Sequence, residues 1–556
     1  MEQSRLLIAI VLSILIFVLW QFFFVDKDAD QKSAKKVAQA PTKEEQIKAT
    51  EPIPEEKAVT ELETPVVATD DDKTPQRIPQ TITINTPLYQ IALSEKGAGF
   101  TSFLLKKYWE NVSDDSPLKE LLPKANALES LLLGFAGKSL PGLDNAVFST
   151  NLNERSIDIK DGPRTITLEW KSPQGVTVEK TYKFSPDTYV IGLDVTIINH
   201  STQSIQDKLF VSLAGPVPQD SRAYGFEGPS ALIGDKVEEV KIKNIAEKNT
   251  YPGRIKWVAL QDRYFLMSLI PMPAEETSMR LSLKDNDQIE AQHIRPESVI
   301  RPGTQQQYQY QLFFGPKSMK TLNEAGHDLS KAVNFGWFDF IAKPCVWLMN
   351  LFYSVIPNYG IAIMILTILT KILLWPLGSK SYKSMSEMKK IQPLMKEIRE
   401  KYKNDKKKMN EEVMSLYRTY KINPLGGCLP MVVQIPVFFA LYRMLYQAIE
   451  LRHAPFFLWI DDLSAPDRLF RFDFAIPFME PPYGIPVLTI IMGGTMLLQQ
   501  KMSPPMGDPT QAKMMMLMPV VFTFIFINFS SGLVLYWLVN NVLSIGQQYY
   551  IQKKFA

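Results

Sequence analysis

The sequence is poor in the residues and motifs from which disulfide frameworks, metal sites and nucleotide sites are built. Its 556 residues include only two cysteines, Cys345 and Cys428, which excludes a disulfide framework. The four histidines are widely scattered, and no HExxH, CxxC or GxxxxGK(S/T) motif occurs. The formal net charge is only +3, so no basic excess indicates a nucleic-acid partner. We therefore expect no metal and no nucleotide cofactor.

Long apolar runs occur in two parts of the chain, the N-terminus and the half after residue 335. The first apolar run, residues 6–25, is longer than the core of a secretory signal peptide and has no small-residue cleavage site beside it. An uncleaved signal anchor over residues 1–25 is therefore favoured over a cleaved signal peptide. Residues 26–80 are rich in Lys, Glu, Asp, Pro and Thr and cannot bury enough apolar surface to fold, so we predict a disordered tether.

Residues 81–316 contain short segments in which apolar and polar residues alternate. Examples are TITIN from Thr81, RTITLEW from Arg164, VTVEKTYKF from Val176, YVIGLDVTII from Tyr189 and QYQYQLFF from Gln307. This period of two predicts antiparallel strands and a large β-sandwich. With a polar helix at its end, the predicted domain covers residues 81–334. No paired acids or nucleophile–base motif occur in it, so a non-catalytic domain is favoured, and a sugar- or peptide-binding cleft between the sheets stays open as an alternative.

One apolar run, YGIAIMILTILTKILLWPL at residues 359–377, is long enough to cross most of a bilayer. It carries a single charge, Lys371. A cation at the centre of a spanning helix costs roughly 2.5 to 3.5 kcal/mol and is a candidate functional residue for that reason. A lysine one turn before Trp375 can instead snorkel to the headgroups at the membrane edge. The helix alone leaves both interpretations open.

The segment after this run, residues 378–421, has more basic than acidic residues, which is typical of a cytoplasmic loop. Two stripes of apolar residues recur in it at three- and four-residue spacing, separated by the turn signal Lys403-Asn404-Asp405. We predict an antiparallel helical hairpin. The stripes can pack only on each other, or their methionines can also offer an adaptable apolar surface to changing partners.

The apolar runs together predict a multi-pass α-helical membrane protein with six transmembrane helices and a large all-β periplasmic sandwich domain. The predicted spans are residues 1–25, 358–377, 422–449, 484–500, 514–530 and 531–549. The remaining segments are an interfacial amphipathic helix at 335–357, the cytoplasmic hairpin at 378–421, a periplasmic loop at 450–483, a cytoplasmic loop at 501–513 and a cytoplasmic tail at 550–556. Because the basic hairpin marks the inside, both termini are predicted in the cytoplasm.

The predicted spans have no repeated halves and no acidic relay of the kind found in many transporters. Besides Lys371 they carry scattered neutral polar residues, which are Thr367, Thr370, Gln434, Thr495, Asn540 and Asn541. Individually, such residues usually form hydrogen bonds between packed helices. Together they can line a wet groove that lets a polar segment enter the bilayer without full desolvation.

Four stretches of the membrane half resemble a known family. They are NPLGGCLPMVVQIPVFFALY from residue 423, APFFLWIDDLSAPD from residue 454, KMSP from residue 501 and SGLVLYWLVNN from residue 531. These motifs are specific, and the chain resembles the YidC/Alb/Oxa family of membrane protein insertases over about residues 335–552. The uncleaved anchor followed by a large β-domain resembles the Gram-negative form of that family.

The resemblance implies a membrane protein insertase and chaperone that hydrolyses no nucleotide, so we expect a protein that is not an enzyme and needs no cofactor. In the family, five core helices enclose a hydrophilic groove with a functional positive charge, normally arginine, and Lys371 stands at that position here. Lysine keeps the charge but lacks the planar bidentate fork of arginine. The family's substrate-contacting positions fall on Thr367, Tyr536 and Trp537, where relatives often have two tyrosines in place of the last pair. Together with Lys371 and Gln434, these are the predicted substrate-binding residues.

The resemblance also implies the partners and the location of the protein. The expected partners are nascent integral membrane proteins, the Sec translocon with its accessory subunits, the ribosome through weak contacts of the cytoplasmic loops, and membrane lipids. The expected location is the inner membrane, with the β-domain in the periplasm. Two other classes of function are weighed against the insertase: a small-solute channel or transporter, and a membrane-anchored periplasmic chaperone or binding protein.

Overall fold

The structure is a computed structural model of the chain. It describes residues 78–113, 115–122, 129–218, 225–284, 288–420, 429–503 and 509–555. The predicted anchor at residues 1–25 and the predicted tether up to residue 77 lie outside the described residues, as does Cys428. Cys345 is a free cysteine and is buried.

The β-domain begins at Thr81 and consists mostly of strands joined by turns. Its described strands are β1 (Thr81–Asn85), β2 (Tyr89–Ser94), β3 (Phe100–Trp109), β4 (Leu118–Glu120), β5 (Leu133–Phe135), β6 (Ser156–Asp158), β7 (Arg164–Lys171), β8 (Val176–Phe184), β9 (Val190–Asn199), β10 (Ile205–Asp207), β11 (Leu209–Pro216), β12 (Gly228–Ile233), β13 (Lys236–Glu239), β14 (Thr250–Gln261), β15 (Phe265–Met272), β16 (Glu276–Lys284), β17 (Gln288–Ile294), β18 (Ser298–Ile300) and β19 (Gln305–Pro316).

Two large sheets build this domain. One has five strands in the order β4-β3-β2-β1-β6, and the other has twelve, with the path β5-β11-β17-β16-β14-β15-β19-β9-β8-β7 and with β12 and β13 attached through β14. The long neighbouring strands pair antiparallel, for example β8 with β9 and β9 with β19. The β-sandwich that the alternating segments predict is therefore confirmed.

The alternation of apolar and polar residues in the sequence corresponds to side chains that point alternately into the sandwich and outward. In β9, Ile191, Leu193, Val195 and Ile197 are fully buried, and the residues between them are partly exposed. Aromatic rings then join the two sheets, since Phe103 of the smaller sheet stacks on Phe314 of the larger one with ring centroids 5.1 Å apart.

A buried lysine also joins the two sheets. Lys180 of β8 is fully buried, and its Nζ donates hydrogen bonds to the carbonyl oxygens of Gly97 at 2.8 Å, Ala98 at 2.9 Å and Leu131 at 2.6 Å. The hydroxyl of Tyr182, two residues further along β8, donates to the same Ala98 carbonyl at 2.6 Å. These bonds fix the tight turn between β2 and β3 against the larger sheet.

Helices make up most of the chain after β19. The described helices are α1 (Met319–Ala325), α2 (Asp339–Val355), α3 (Tyr359–Leu373), α4 (Trp375–Lys401), α5 (Lys406–Thr419), α6 (Leu429–Gln447), α7 (Val487–Met502), α8 (Pro509–Phe526) and α9 (Ser531–Phe555). Two short strands, β20 (Leu469–Phe472) and β21 (Tyr483–Ile485), form a hairpin in the connection between α6 and α7.

The predicted span at residues 358–377 differs from the structure. Helix α3 ends at Leu373, and the chain bends by 65° before α4 begins at Trp375. The reason is Pro376, which has no N–H to continue the hydrogen bonding of α3 but fits the first turn of a new helix. Lys371 therefore lies in the last turn of α3, just before a bend.

No single described helix is long and apolar enough to cross a bilayer, whereas the bent pair α3 and α4 is long and apolar enough when the two helices are taken together. Met514–Phe526 is a shorter apolar helix. The six predicted spans stay a prediction.

Helices α4 and α5 form a hairpin in the basic segment. Met388, Ile391 and Met395 of α4 are buried against Val413, Leu416 and Tyr417 of α5. The side chain of Asp405 in the turn accepts a hydrogen bond from the backbone N–H of Lys408 and so caps α5. The two stripes seen in the sequence thus pack on each other.

Several helix ends differ from the sequence prediction. The polar helix expected at residues 317–334 is the short α1 followed by a 3-10 turn, Leu329–Ala332. Helix α8 begins at Pro509, inside the predicted loop at 501–513, and α9 continues through the predicted tail to Phe555. Proline fits the first position of a helix, which explains the earlier start of α8.

Candidate functional site

Helix α9 carries one continuous polar face among the apolar helices. Its residues recur at spacings of three and four, which places them along one side of a helix. We call this face the polar seam, and its members are Asn540, Asn541, Ser544, Gln547, Gln548 and Gln552. The seam faces α3, α4 and α7, as the hydrogen bonds below establish.

Lys371 of α3 reaches the middle of the polar seam. Its Nζ lies 2.6 Å from Ser544 Oγ and 3.5 Å from Asn540 Oδ1. Ser544 Oγ donates its own proton to the Asn540 carbonyl at 2.7 Å, which leaves an oxygen lone pair directed at the ammonium group. Lys371 is half-buried, so the structure places its charge against α9 rather than in open solvent.

The partners of Lys371 are neutral in the part of the chain that the structure describes. Both groups bonded to Nζ are uncharged, and no described carboxylate acts on the lysine. Burying a charge that has only neutral partners costs free energy. Because its partners are neutral, the Lys371 ammonium can still form an ion pair with an acidic group that approaches it.

Ser544 connects three helices. Besides Lys371 of α3, it hydrogen-bonds Tyr382 of α4, which in turn bonds Gln499 of α7. Further along α9, Gln547 Nε2 donates to the Trp375 carbonyl at 3.2 Å. That carbonyl belongs to the bend between α3 and α4, so the seam also stabilises the bend.

The other edge of the seam faces α7. Asn541 Nδ2 donates to Thr495 Oγ1 at 3.3 Å, and Gln552 Nε2 donates to the Met502 carbonyl at 3.0 Å. Gln548 Nε2 lies 3.4 Å from Ser503 Oγ. The side-chain amide nitrogens of these three residues are thus paired with polar groups of α7 and of Ser503, whereas the buried Gln548 Oε1 has no partner among the described residues.

The predicted residue Thr367 lies away from this arrangement. It is buried, and its Oγ1 donates to the Ile363 carbonyl of its own helix at 2.7 Å. Thr370 Oγ1 donates in turn to the Thr367 carbonyl at 2.9 Å. Threonines commonly satisfy their hydroxyl in this way inside helices.

The predicted residues Tyr536 and Trp537 lie on α9, one to two helical turns before Asn540 and Ser544, which contact Lys371, and Gln434 lies on α6. Tyr536 is buried, and its hydroxyl is hydrogen-bonded to Gln434 of α6. Trp537 packs edge-on against Phe438 of α6 at 4.7 Å and against Phe526 of α8 at 5.0 Å. Helix α9 therefore brings together the cation, the tyrosine–glutamine pair and an aromatic cluster.

Sequence reasoning missed Ser544 and Gln547. It recognised Asn540 and Asn541 as polar but did not continue the pattern along the helix. The signal was present, since both missed residues follow Asn540 at helical spacing. Their partners are far apart in the sequence and were not predictable from spacing.

Comparisons with known proteins fit this architecture. A family model described as the 60Kd inner membrane protein matches residues 351–556, and one described as the YidC periplasmic domain matches residues 81–348. A protein of Syntrophobacter fumaroxidans named membrane protein insertase YidC is 39% identical over 566 residues, covering 99% of this chain and 100% of the relative. This chain belongs to the YidC family. The resemblance that the sequence motifs indicate is thereby confirmed.

A second relative and one solved structure are also similar to this chain. The protein of the same name from Syntrophus aciditrophicus is 42% identical over 479 residues, which covers 85% of each chain. A solved structure of an active YidC insertase is 18% identical, with a TM-score of 0.37, and the match covers 85% of this chain and 93% of that one. The assignment rests on the sequence matches. As a YidC family member, the chain is an inner membrane protein whose β-sandwich is its periplasmic domain.

Proposed function

We propose that this protein inserts client proteins into the inner membrane along the polar seam of α9, with Lys371 as the charge that attracts them. The observation that carries the proposal is the position of Lys371 Nζ, 2.6 Å from Ser544 Oγ and bonded only to neutral groups among the described residues. Membership of the YidC insertase family supports the same function. It favours an insertase over a solute channel or a periplasmic binding protein.

The proposed orientation has six spans and both termini in the cytoplasm. The basic excess of residues 378–421 supports a cytoplasmic hairpin α4–α5, and the match to a periplasmic domain supports an outer position for the β-sandwich. In this orientation, the α3–α4 bend lies toward the cytoplasmic side. Lys371 is then near the inner end of the proposed path.

The proposed mechanism begins at the hairpin, which receives an emerging apolar segment. Acidic residues of the client's short translocated region are attracted to Lys371, and their carboxylates replace the neutral oxygens of Ser544 and Asn540 as partners of the ammonium. The exchange replaces neutral hydrogen-bond acceptors by a charged one, and hydrogen bonds between two charged groups are stronger than those to a neutral group. Burial of the client's apolar segment in lipid then drives insertion, at about 25 cal/mol per Å² of apolar area.

The aromatic cluster around Trp537 supports the second half of this path. Trp537, Phe438 and Phe526 belong to α9, α6 and α8, so an apolar client segment that contacts them would touch three helices at once. Thr367, Gln434 and Tyr536 complete the proposed substrate-binding residues. Because their polar atoms bond within the protein, they contribute through position and not as open hydrogen-bonding sites.

The proposed partners follow from this function. They are nascent integral membrane proteins, the Sec translocon and the ribosome, with ribosome contact through the hairpin α4–α5. We propose no enzymatic step, because insertion is driven by burial of apolar surface and by charge attraction.

The experiment that tests the path is site-specific photocrosslinking to a stalled single-span client. A probe replacing Trp537 should crosslink to the client's apolar segment. Val542 is the matched control, since it is exposed and lies on the same helix away from the seam. Equal crosslinking from both positions would contradict a path along this face, and so would the absence of crosslinks at position 537 in folded, membrane-inserted protein.

A further inference from the structure

The connection between α6 and α7, residues 448–486, is fixed to the turn between α8 and α9. Arg468 is buried and donates hydrogen bonds to the carbonyls of Pro482 at 2.9 Å and Ile527 at 2.8 Å. The backbone N–H of Ser531 donates to the Ala465 carbonyl at 2.8 Å. We call this connection the outer loop, and these bonds make it a rigid part of the helical half.

Further hydrogen bonds hold the outer loop to the start of α7 and to the turn between α8 and α9. Asp467 is buried and accepts from Trp459 Nε1 and from the backbone N–H of Leu488, the start of α7. Asn528 accepts from the backbone N–H of Glu480 at 2.9 Å and donates to the Phe478 carbonyl at 2.9 Å. The backbone around Phe478 is thus held by Asn528, in the turn between α8 and α9.

Large apolar side chains project outward from this rigid loop. Phe478 is 85% exposed, Leu458 88% and Phe470 73%, and Phe457 and Phe474 are also exposed. We call these five residues the apolar crest. Single exposed apolar residues are ordinary on protein surfaces, but a group of this size on one loop marks an interaction site.

The backbone under the crest is strained. Leu458, Phe470 and Phe478 have φ angles of 61°, 50° and 65°, which is the left-handed region. Large L-residues rarely adopt it, because Cβ then approaches the following carbonyl. Such residues persist only where the surrounding structure holds them, and they concentrate at functional sites. Here the strained positions are also the three most exposed residues of the crest.

Exposed apolar residues also occur on the helices next to the outer loop. They are Phe524 near the end of α8 and Ile490 in the first turn of α7, and within the loop Ile485 of β21 is exposed and lies on the strand that pairs with β20, which carries Phe470. In the orientation proposed above, the first two face lipid and the loop lies at the periplasmic surface. The lipid that surrounds these helix faces would therefore also be the medium next to the crest.

We propose that the apolar crest inserts into the periplasmic leaflet of the inner membrane, so that the outer loop is seated in lipid rather than in water. Phenylalanine and leucine at this depth bury their side chains at the boundary between headgroups and acyl chains. Arg471, which is exposed beside Phe470, lies at the level of the lipid phosphates. Since the loop is bonded to the α8–α9 turn, its insertion fixes the depth of α9 and of the polar seam. The proposal rests on the orientation given under the proposed function.

Spin-label accessibility tests this proposal on the full chain in lipid nanodiscs that hold one copy each. In a background with Cys345→Ala and Cys428→Ser, nitroxides are attached at Phe478→Cys, at Phe470→Cys and at the control Asp461→Cys. Asp461 is exposed on the same loop but polar. Oxygen, which partitions into lipid, should collide several-fold more often with the labels at 478 and 470 than a water-soluble nickel complex does, with the reverse order at 461.

Two results would overturn the proposal. Equal access of the nickel complex at all three positions would place the crest in water, and exclusion of both reagents would indicate a protein surface covering it. Labelling of Asp461→Cys by a membrane-impermeant thiol reagent from outside spheroplasts tests the orientation separately. If it is labelled from outside while the crest is in water, only this inference fails. If it is labelled only after the cells are opened, the proposed orientation fails as well.

Discussion

Replacing Lys180 by methionine should strongly destabilise the β-domain. Methionine has nearly the length of lysine and fills the same buried space, so the substitution removes the ammonium without opening a large cavity. The lost bonds are those from Nζ to Gly97, Ala98 and Leu131. The Ala98 carbonyl keeps the Tyr182 hydroxyl, so two carbonyl oxygens lose this donor.

The magnitude follows from these two groups. Each buried polar group left without its partner costs about 1 to 3 kcal/mol, so the free energy of unfolding should fall by roughly 2 to 6 kcal/mol. Part of the loss is offset, because burial lowers the pKa of Lys180 to about 7 and the charged ammonium is itself costly to bury. We therefore expect the lower half of this range.

The measurement is pulse proteolysis of the full chain in urea, with cleavage followed within the β-domain. Lys183→Met is the matched control, because Lys183 is on the same strand but exposed, with Asp194 Oδ2 at 2.7 Å. An exposed ion pair contributes at most about 1 kcal/mol. If the two variants unfold at the same urea concentration, the interpretation of Lys180 as a tie between the sheets is refuted.

Two further predictions concern the pH response of the β-domain and the packing of the helices. Burial and the charge of Arg295 lower the pKa of His293 to about 3, so the unfolded chain binds a proton that the folded chain does not between pH 6.5 and 3. As the pH falls through that window, the free energy of unfolding should decrease by about 1.4 kcal/mol per pH unit more in the wild type than in His293→Gln, and equal slopes in the two proteins would contradict this. Gly493→Leu should reduce the amount of folded protein in membranes, because even a Cβ there would overlap Thr523 Oγ1 of α8. Gly494→Leu, with open space around its Cβ, should not, and equal loss in both would contradict the packing argument.

Much of the β-domain was predictable, because its strands are buried on alternate residues. The alternation in β8 even places Lys180 on the inward face, in register with Val178 and Tyr182, although its burial was not inferred. The order of the strands was not predictable. β5 pairs with β11 and β11 with β17 across long stretches of chain, and no local pattern encodes such pairings.

In the helical half, local signals predicted the helices better than their ends. Pro376 lies inside the span that the sequence predicts, whereas in the structure it belongs to the first turn of a new helix after a bend. The partners of Lys371 were missed for a different reason. Nothing in the local sequence distinguishes Ser544 from other serines. Its role depends on the packing of α9 against α3, which brings together residues 173 positions apart.

The most direct test of the central claim is insertion of a client with an acidic translocated segment into proteoliposomes, compared for the wild type, Lys371→Ala and Lys371→Arg. A hydrogen bond to a charged group is worth about 1.5 to 3 kcal/mol, so alanine should slow insertion by roughly tenfold to a hundredfold. Arginine should preserve it, and a client whose translocated segment is neutral should depend less on the charge. Wild-type insertion of the acidic client by a stable, correctly inserted Lys371→Ala protein would contradict the role given to Lys371.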